Sequence, residues 1–458
     1  GLDHLVELGV THVHILPMFD FYTGDESERD FEKSYNWGYD PYLFTVPEGR
    51  YSTNPINPYV RINEVKQMVK ALHENGIRVI LDMVFPHTFG IGVLSPFDTA
   101  VPYYFYRIDK TGAYLNESGC GNVMATERPM LKKYVIDTLK WWVLEYHVDG
   151  FRFDQMGLMD KKTMLDLEKE LHAIDPTILL YGEPWGGWGA PVRFGKSDVG
   201  GTHIAAFNDE FRDAMRGSVF NATVKGFLMG ALAKETAIKR GVVGSIEYDD
   251  VIRSFAKDPE ETINYVACHD NHTLWDKNYL AAQADTNIKW TEEMLKNAQK
   301  LAGAILLTSQ GIPFLHAGQD FARTKKGDEN SYNSPISING LDYARKAEFI
   351  DVFNHYKGLI EIRKAHPAFR QRTAEDIKKK ITFLPTTRKM VAFTIKDEND
   401  SWKEILVIYN GDTKDQDFTL PEGTWNVVVD QQNAGTKVLY QVSGKITVKS
   451  TSTMVMYK

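Results

Sequence analysis

Four short stretches of the chain end in acid or histidine: Asp82 with His87, Arg152 with Asp154, Glu183, and His269 with Asp270. The most informative is Val148-Asp-Gly-Phe-Arg-Phe-Asp154. Read as a strand, it puts Gly150, Arg152 and Asp154 on one face and Asp149, Phe151 and Phe153 on the other. A guanidinium two residues before a carboxylate, on the same face, keeps that carboxylate ionised. An ionised carboxylate at the C-terminal end of a buried strand suits a nucleophile, while a structural ion pair at a strand end is the competing reading. Asp82, Glu183 and Asp270 offer further carboxyls at other strand ends. Retaining cleavage of a glycosidic bond needs two carboxyls about 5–5.5 Å apart, one attacking the anomeric carbon and one protonating the leaving oxygen. A third carboxylate would bind hydroxyls of the distorted sugar.

These residues need a scaffold that gathers distant strand ends. Apolar strand-like runs alternate with helical patterns along the chain. The runs are Val10–Pro17, Arg78–Val84, Val148–Asp154, Ile178–Glu183, Ala205–Asp209, Ile263–Asp270 and Ile312–Gly318. Helical rhythm marks 61–75, a segment opened by Pro129, 161–174 and 292–308. Strict alternation implies a parallel sheet, and in a (β/α)8 TIM barrel the site lies at the C-terminal strand ends. Seven strands is one short. The chain opens with Gly1-Leu-Asp-His, without Met and in helical rhythm, so an upstream segment carrying the first strand is expected. Two long stretches, 19–57 and 88–126, are expected to line a cleft. After His366-Pro367 short alternating segments predict a small antiparallel β-sandwich. The expected domains are therefore 1–368, catalytic with an insertion at 88–126, and 369–458.

The net charge of -8 gives no reason to expect nucleic acid as a partner, and no apolar run approaches the roughly 18 residues of a membrane span. Cys120 and Cys268 have no metal-ligand spacing, and a disulfide between them is not expected. With the N-terminal region absent, the compartment stays open, leaning toward a secreted or periplasmic setting.

At these positions the chain resembles the α-amylase clan of glycoside hydrolases, and within it the type I pullulanase branch. Asp82-Met-Val-Phe-Pro-His87, Gly150-Phe-Arg-Phe-Asp154, Tyr181-Gly-Glu-Pro-Trp185 and His269-Asp270 match four clan motifs in order. Tyr35-Asn-Trp-Gly-Tyr-Asp-Pro41 is similar to the stretch that marks pullulanases. The resemblance implies Asp154 as nucleophile, Glu183 as acid/base and Asp270 as transition-state stabiliser. It also implies Trp37, Tyr39, Asp82, His87, Arg152, Trp185, His269 and Asp320 as substrate-binding, with Tyr39 stacking on the sugar being cleaved. No cofactor is expected. Pro86 stands where many amylases have an Asn that helps bind structural calcium, which argues against that ion here. His272 and Gln319 also depart from the family pattern.

The reaction this implies is retaining hydrolysis of α-1,6-glucosidic linkages in pullulan and branched α-glucans, by a monomer whose partner is an α-glucan. Two alternatives stand beside it: an α-1,4-acting neopullulanase, amylase or transglycosylase, and a non-catalytic α-glucan-binding protein. Other conspicuous residues have plainer readings. Trp141 and Trp142 are expected to pack, His12 and His14 to be satisfied core or rim histidines, and Lys378-Lys-Lys380 to be a solvated cluster.

Overall fold

The computed structural model describes residues 1–22, 24–187 and 189–458. The chain divides into two compact units. The first comprises Gly1–Val6, Val10–Phe207 and Tyr332–Ile336. Its strands are His12–Ile15, Arg78–Met83, Gly150–Phe153, Leu179–Gly182 and Ile204–Phe207, paired parallel in chain order. Nearly every residue of the middle three is buried, which is why they read as continuous apolar runs. Register carries the chemistry: Asp82 is the ladder partner of Arg152, and Arg152 that of Tyr181. Gly150 permits a close approach between strands, since a Cβ there would stand 2.3 Å from the Leu179 carbonyl oxygen.

The crossover helices start and stop as their sequences dictate. The helix Pro58–Glu74 has Asn57 capping the Tyr59 N–H, and Gly76 follows its end at φ 71°. The helix Pro129–Tyr146 begins on proline. Trp142 is fully buried, with its indole N–H bonded to the Phe44 carbonyl. Trp141, expected to pack, is instead 45% exposed, because the neighbouring helical position faces outward.

The second unit comprises Glu7–Gly9, Asn208–Ser331 and Ser337–Lys458. It holds two further strands of the alternating series, Thr262–Asn264 and Ile312–Pro313, paired parallel. Both are shorter than the apolar runs suggested. The helix Glu292–Thr308 between them has the expected bounds.

After residue 366 antiparallel strands take over. A six-stranded sheet runs in the order 381–384, 390–396, 404–410, 452–457, 425–429, 440–442, and a two-stranded sheet pairs 416–419 with 445–448. Phe418 and Val448 of the small sheet share one core with Met390, Leu406, Trp425 and Met456 of the large one. The stretch entering this region is pinned. Asp400 accepts from His366 Nδ1 at 2.7 Å and from the Ala368 N–H at 3.0 Å, and Gln371 bonds Asp397 at 2.8 Å. The Lys378–Lys380 triplet closes the helix Ala374–Lys380. It is not simply solvated: Lys380 bonds Gln371 and the buried Asp397.

Candidate active site

In the first unit the C-terminal strand ends converge on one buried guanidinium. Arg152, 1% exposed, holds Asp82 Oδ1 at 2.9 Å and Asp154 Oδ1 at 2.8 Å through Nη1. Through Nη2 it holds Glu183 Oε1 at 2.6 Å. Burial works against its charge, but Asp82 and Glu183, with help from Tyr39 and Asp154, raise its pKa well above the usual range. Arg152 is therefore a permanent cation. Its planar fork lets it serve several carboxylates at once.

Each acid has its own setting. Asp82 is fully buried and also accepts from Tyr39 Oη at 2.6 Å and from His14 Nε2 at 3.0 Å. Burial first, and then the Asp82 charge, lift the Tyr39 phenol well above its ordinary range, so Tyr39 stays a neutral donor. Asp154 lies just beyond its strand. The next residue, Gln155, takes a left-handed conformation at φ 41°. That turn aims its N–H at Glu183 Oε2, 2.9 Å away. Its side-chain amide reaches the Ser118 carbonyl at 2.8 Å, which ties the 88–126 insertion to the site. Gly157 donates to the Glu183 carbonyl at 2.9 Å and packs under Trp185, where a Cβ would lie 2.6 Å from the Trp185 carbonyl.

The loop after the first strand supplies the aromatics. The Trp37 and Tyr39 rings meet edge to face at 6.3 Å, and Trp37 also meets Tyr332 at 6.5 Å. The Arg152 guanidinium sits 5.7 Å from the Tyr39 ring centroid. His87, almost fully buried, donates from Nε2 to the Tyr39 carbonyl at 2.9 Å and so fixes the loop that carries the ring.

The structure thus brings together Tyr39, Asp82, Arg152, Asp154 and Glu183 directly, and Trp37, His87 and Trp185 through them. Asp270, His269 and Asp320 belong to the second unit. There Asp270 is 47% exposed, with His269 Nε2 3.6 Å from its carboxylate. Asp320 is buried in the short turn Gln319–Phe321. Gln319, one of the departures from the family pattern, bonds Tyr356 and Gln299 within the core of this unit.

Two members were missed by reading the chain. His14 looked like an ordinary rim histidine, but its partner is Asp82, and its ring meets Tyr181 edge on at 5.8 Å. Its position near the end of a strand, on alternating spacing with His12, was the available signal. Gln155 acts through its backbone, which leaves no trace in residue type. Among the described residues no group of three or more His, Cys, Asp or Glu is arranged to hold a metal ion, and both cysteines are free thiols.

Parallel strands with paired carboxylates beyond their C-terminal ends form the kind of site used by glycoside hydrolases of the alternating β/α class. Comparison with known proteins narrows this. A family model described as "Pullulanase, all-beta domain" matches residues 377–433. The chain is 41% identical to pullulanase of Bacillus subtilis (strain 168) over 427 residues, which is 92% of this chain and 58% of that protein. Its structure is similar to that of pullulanase from Bacillus acidopullulyticus, with TM-score 0.94 and 45% identity, covering all of this chain and 55% of that one. It is also similar to pullulanase from Paenibacillus barengoltzii, solved with maltohexaose and α-cyclodextrin, with TM-score 0.92 and 43% identity, covering all of this chain and 70% of that one. The chain belongs to the pullulanase family. It spans a little over half the length of the Bacillus subtilis relative.

Proposed function

We propose that this chain carries the catalytic part of a retaining debranching hydrolase that cleaves α-1,6-glucosidic linkages in pullulan and branched α-glucans. The observation that carries the reading is the sharing of one guanidinium by Asp154 and Glu183. Retaining hydrolysis needs its two carboxyls about 5–5.5 Å apart, and one guanidinium bonded to both Asp154 and Glu183 makes them neighbours.

In this reading Asp154, kept ionised by Arg152, attacks the anomeric carbon. The bond from that carbon to the glycosidic oxygen breaks, and Glu183 gives its proton to the departing oxygen. One guanidinium faces three carboxylates, so the cluster has room for that proton. Water then gives a proton to Glu183 and attacks the same carbon, which releases Asp154. Asp270 stabilises the oxocarbenium-like state. Tyr39 and Trp185 stack on the apolar faces of the sugars flanking the cut.

The fold that goes with this reading is a (β/α)8 barrel followed by a small antiparallel β-sandwich, with domains at 1–368 and 369–458. The protein acts as a monomer without a cofactor. The nature of the bound sugars in the Paenibacillus barengoltzii structure supports an α-glucan as the substrate. Product analysis on pullulan tests the proposal. Maltotriose is the expected product, and cleavage of amylose with pullulan left intact would overturn it in favour of an α-1,4-acting enzyme.

A further inference from the structure

The segment that bears Asp270 is not a strand. The ladder stops at Asn264, and the helix Leu274–Ala284 does not begin until Thr273 caps it. Residues 265–273 between them are irregular, and Asn271 sits at φ 61°, a conformation few residues other than glycine adopt cheaply. Irregular buried backbone has carbonyls that need donors. In this segment the Asp270 carbonyl accepts from the Cys268 thiol at 3.9 Å and the Thr273 carbonyl from the Lys277 N–H at 3.0 Å, while three others are held by cations. Arg216, 2% exposed, gives Nη1 to the Val266 carbonyl at 3.0 Å and Nη2 to the His272 carbonyl at 2.7 Å. Lys325, 1% exposed, gives Nζ to the His269 carbonyl at 2.9 Å. The Lys325 backbone is itself anchored, since its N–H bonds Asp276 Oδ2 at 2.7 Å at the start of the following helix.

We infer that Arg216 and Lys325 form a cationic carbonyl clamp on residues 266–272, and that Lys325 is a positioning residue for Asp270. The inference rests on the role given to Asp270 above. The peptide bond between His269 and Asp270 begins at the carbonyl that Lys325 holds, so the clamp sets the direction in which the Asp270 side chain leaves the backbone. A neutral donor would satisfy the carbonyl. A charged one gives a stronger bond but carries a desolvation cost. That cost is visible: burial, and then Arg323, push Lys325 down to about 8, and burial pushes Arg216 down to about 10. Cys268, Asp270 and Asp328 oppose the shift at Lys325. His272 and His316 also face it. A structure that keeps two costly cations on one irregular segment is one in which the placement of that segment matters.

Loss of the Lys325 proton near pH 8 leaves a neutral amine that still donates but binds more weakly, so the wild-type rate should fall on the alkaline side without being abolished. Lys325→Met should lower kcat on pullulan about ten- to hundredfold with KM little changed, the size of effect expected when a reacting group is displaced by about 1 Å. Lys325→Arg, which does not titrate in this range, should keep most of the rate and move the alkaline limb upward. Added to Asp270→Asn, Lys325→Met should cost nothing further. Amide hydrogen exchange over 265–273 should quicken at least tenfold in Lys325→Met, with 404–410 unchanged. Unaltered exchange in a folded Lys325→Met protein, or losses that multiply in the double variant, would overturn the clamp. Exchange reads the clamp without turnover. A wild-type protein inert on pullulan would sink the proposed activity and leave this test standing.

Discussion

Tyr39 donates its phenolic hydrogen to Asp82 Oδ2 at 2.6 Å, joining the loop after the first strand to the strand that follows. The bond does two things. It fixes the ring that faces the Arg152 guanidinium, and it occupies an acid that has no access to solvent. A buried carboxylate with three partners cannot reach substrate as a base or nucleophile. It serves by holding the groups that can.

Tyr39→Phe keeps the ring and removes that hydrogen bond. Hydrogen bonds to charged groups contribute about 1.5–3 kcal/mol. kcat/KM on pullulan should fall roughly ten- to hundredfold, while thermal unfolding changes little, because His14 and Arg152 still satisfy Asp82. Steady-state kinetics beside a melting curve checks both halves.

Asp154→Asn is nearly isosteric and leaves Arg152 its bonds to Asp82 and Glu183. The fold should survive. Turnover should drop by at least about a thousandfold, as when other enzymes lose a nucleophile. A reducing-sugar assay on pullulan at high enzyme concentration reads the loss, and wild-type turnover would take the nucleophile's role away from Asp154.

Arg152→Met strands three carboxylates without their shared cation. Breaking a buried ion pair from one side costs about 3–5 kcal/mol. Urea denaturation at pH 7 should show a loss of that order. The loss should shrink as the pH is lowered, since the stranded acids can then take up protons.

His355 gives a stability signal separate from the chemistry. It is buried, with Nε2 donating to the Asp430 carbonyl at 3.1 Å, and burial pushes its pKa down to about 4. Between that value and the ordinary 6.5 the unfolded chain binds the proton that the folded chain refuses. Stability from this group is therefore full above pH 6.5 and is lost as pH falls toward 4, by about 3 kcal/mol at the low end. His355→Gln should flatten the acid limb of Tm against pH over that window.

Much of this was legible in the chain because burial writes a pattern. The strands at 78–83, 150–153 and 179–182 are apolar runs because both faces are covered, and the helix Glu292–Thr308 has a clear cap and rhythm. The Arg152–Asp154 contact followed from the two-residue period of a strand. Other features depend on partners distant in sequence. The run from Ile263 to Asp270 looks like one strand, but its pairing ends at Asn264 because its later carbonyls are taken by Arg216 and Lys325. The helix Ile350–Ala365 is buried on most sides, so it lacks the one-sided stripe that marks a surface helix. His14 and Lys380 are ordinary residue types whose partners, Asp82 and Asp397, no local window contains.

Three carboxylates gathered on one guanidinium make a pocket rich in acid. A small protonated amine shaped like a sugar should grip such a pocket more firmly than the neutral sugar it imitates. Tris and similar buffers would then compete with the polymer, so phosphate is the sounder medium for every rate measured on this protein.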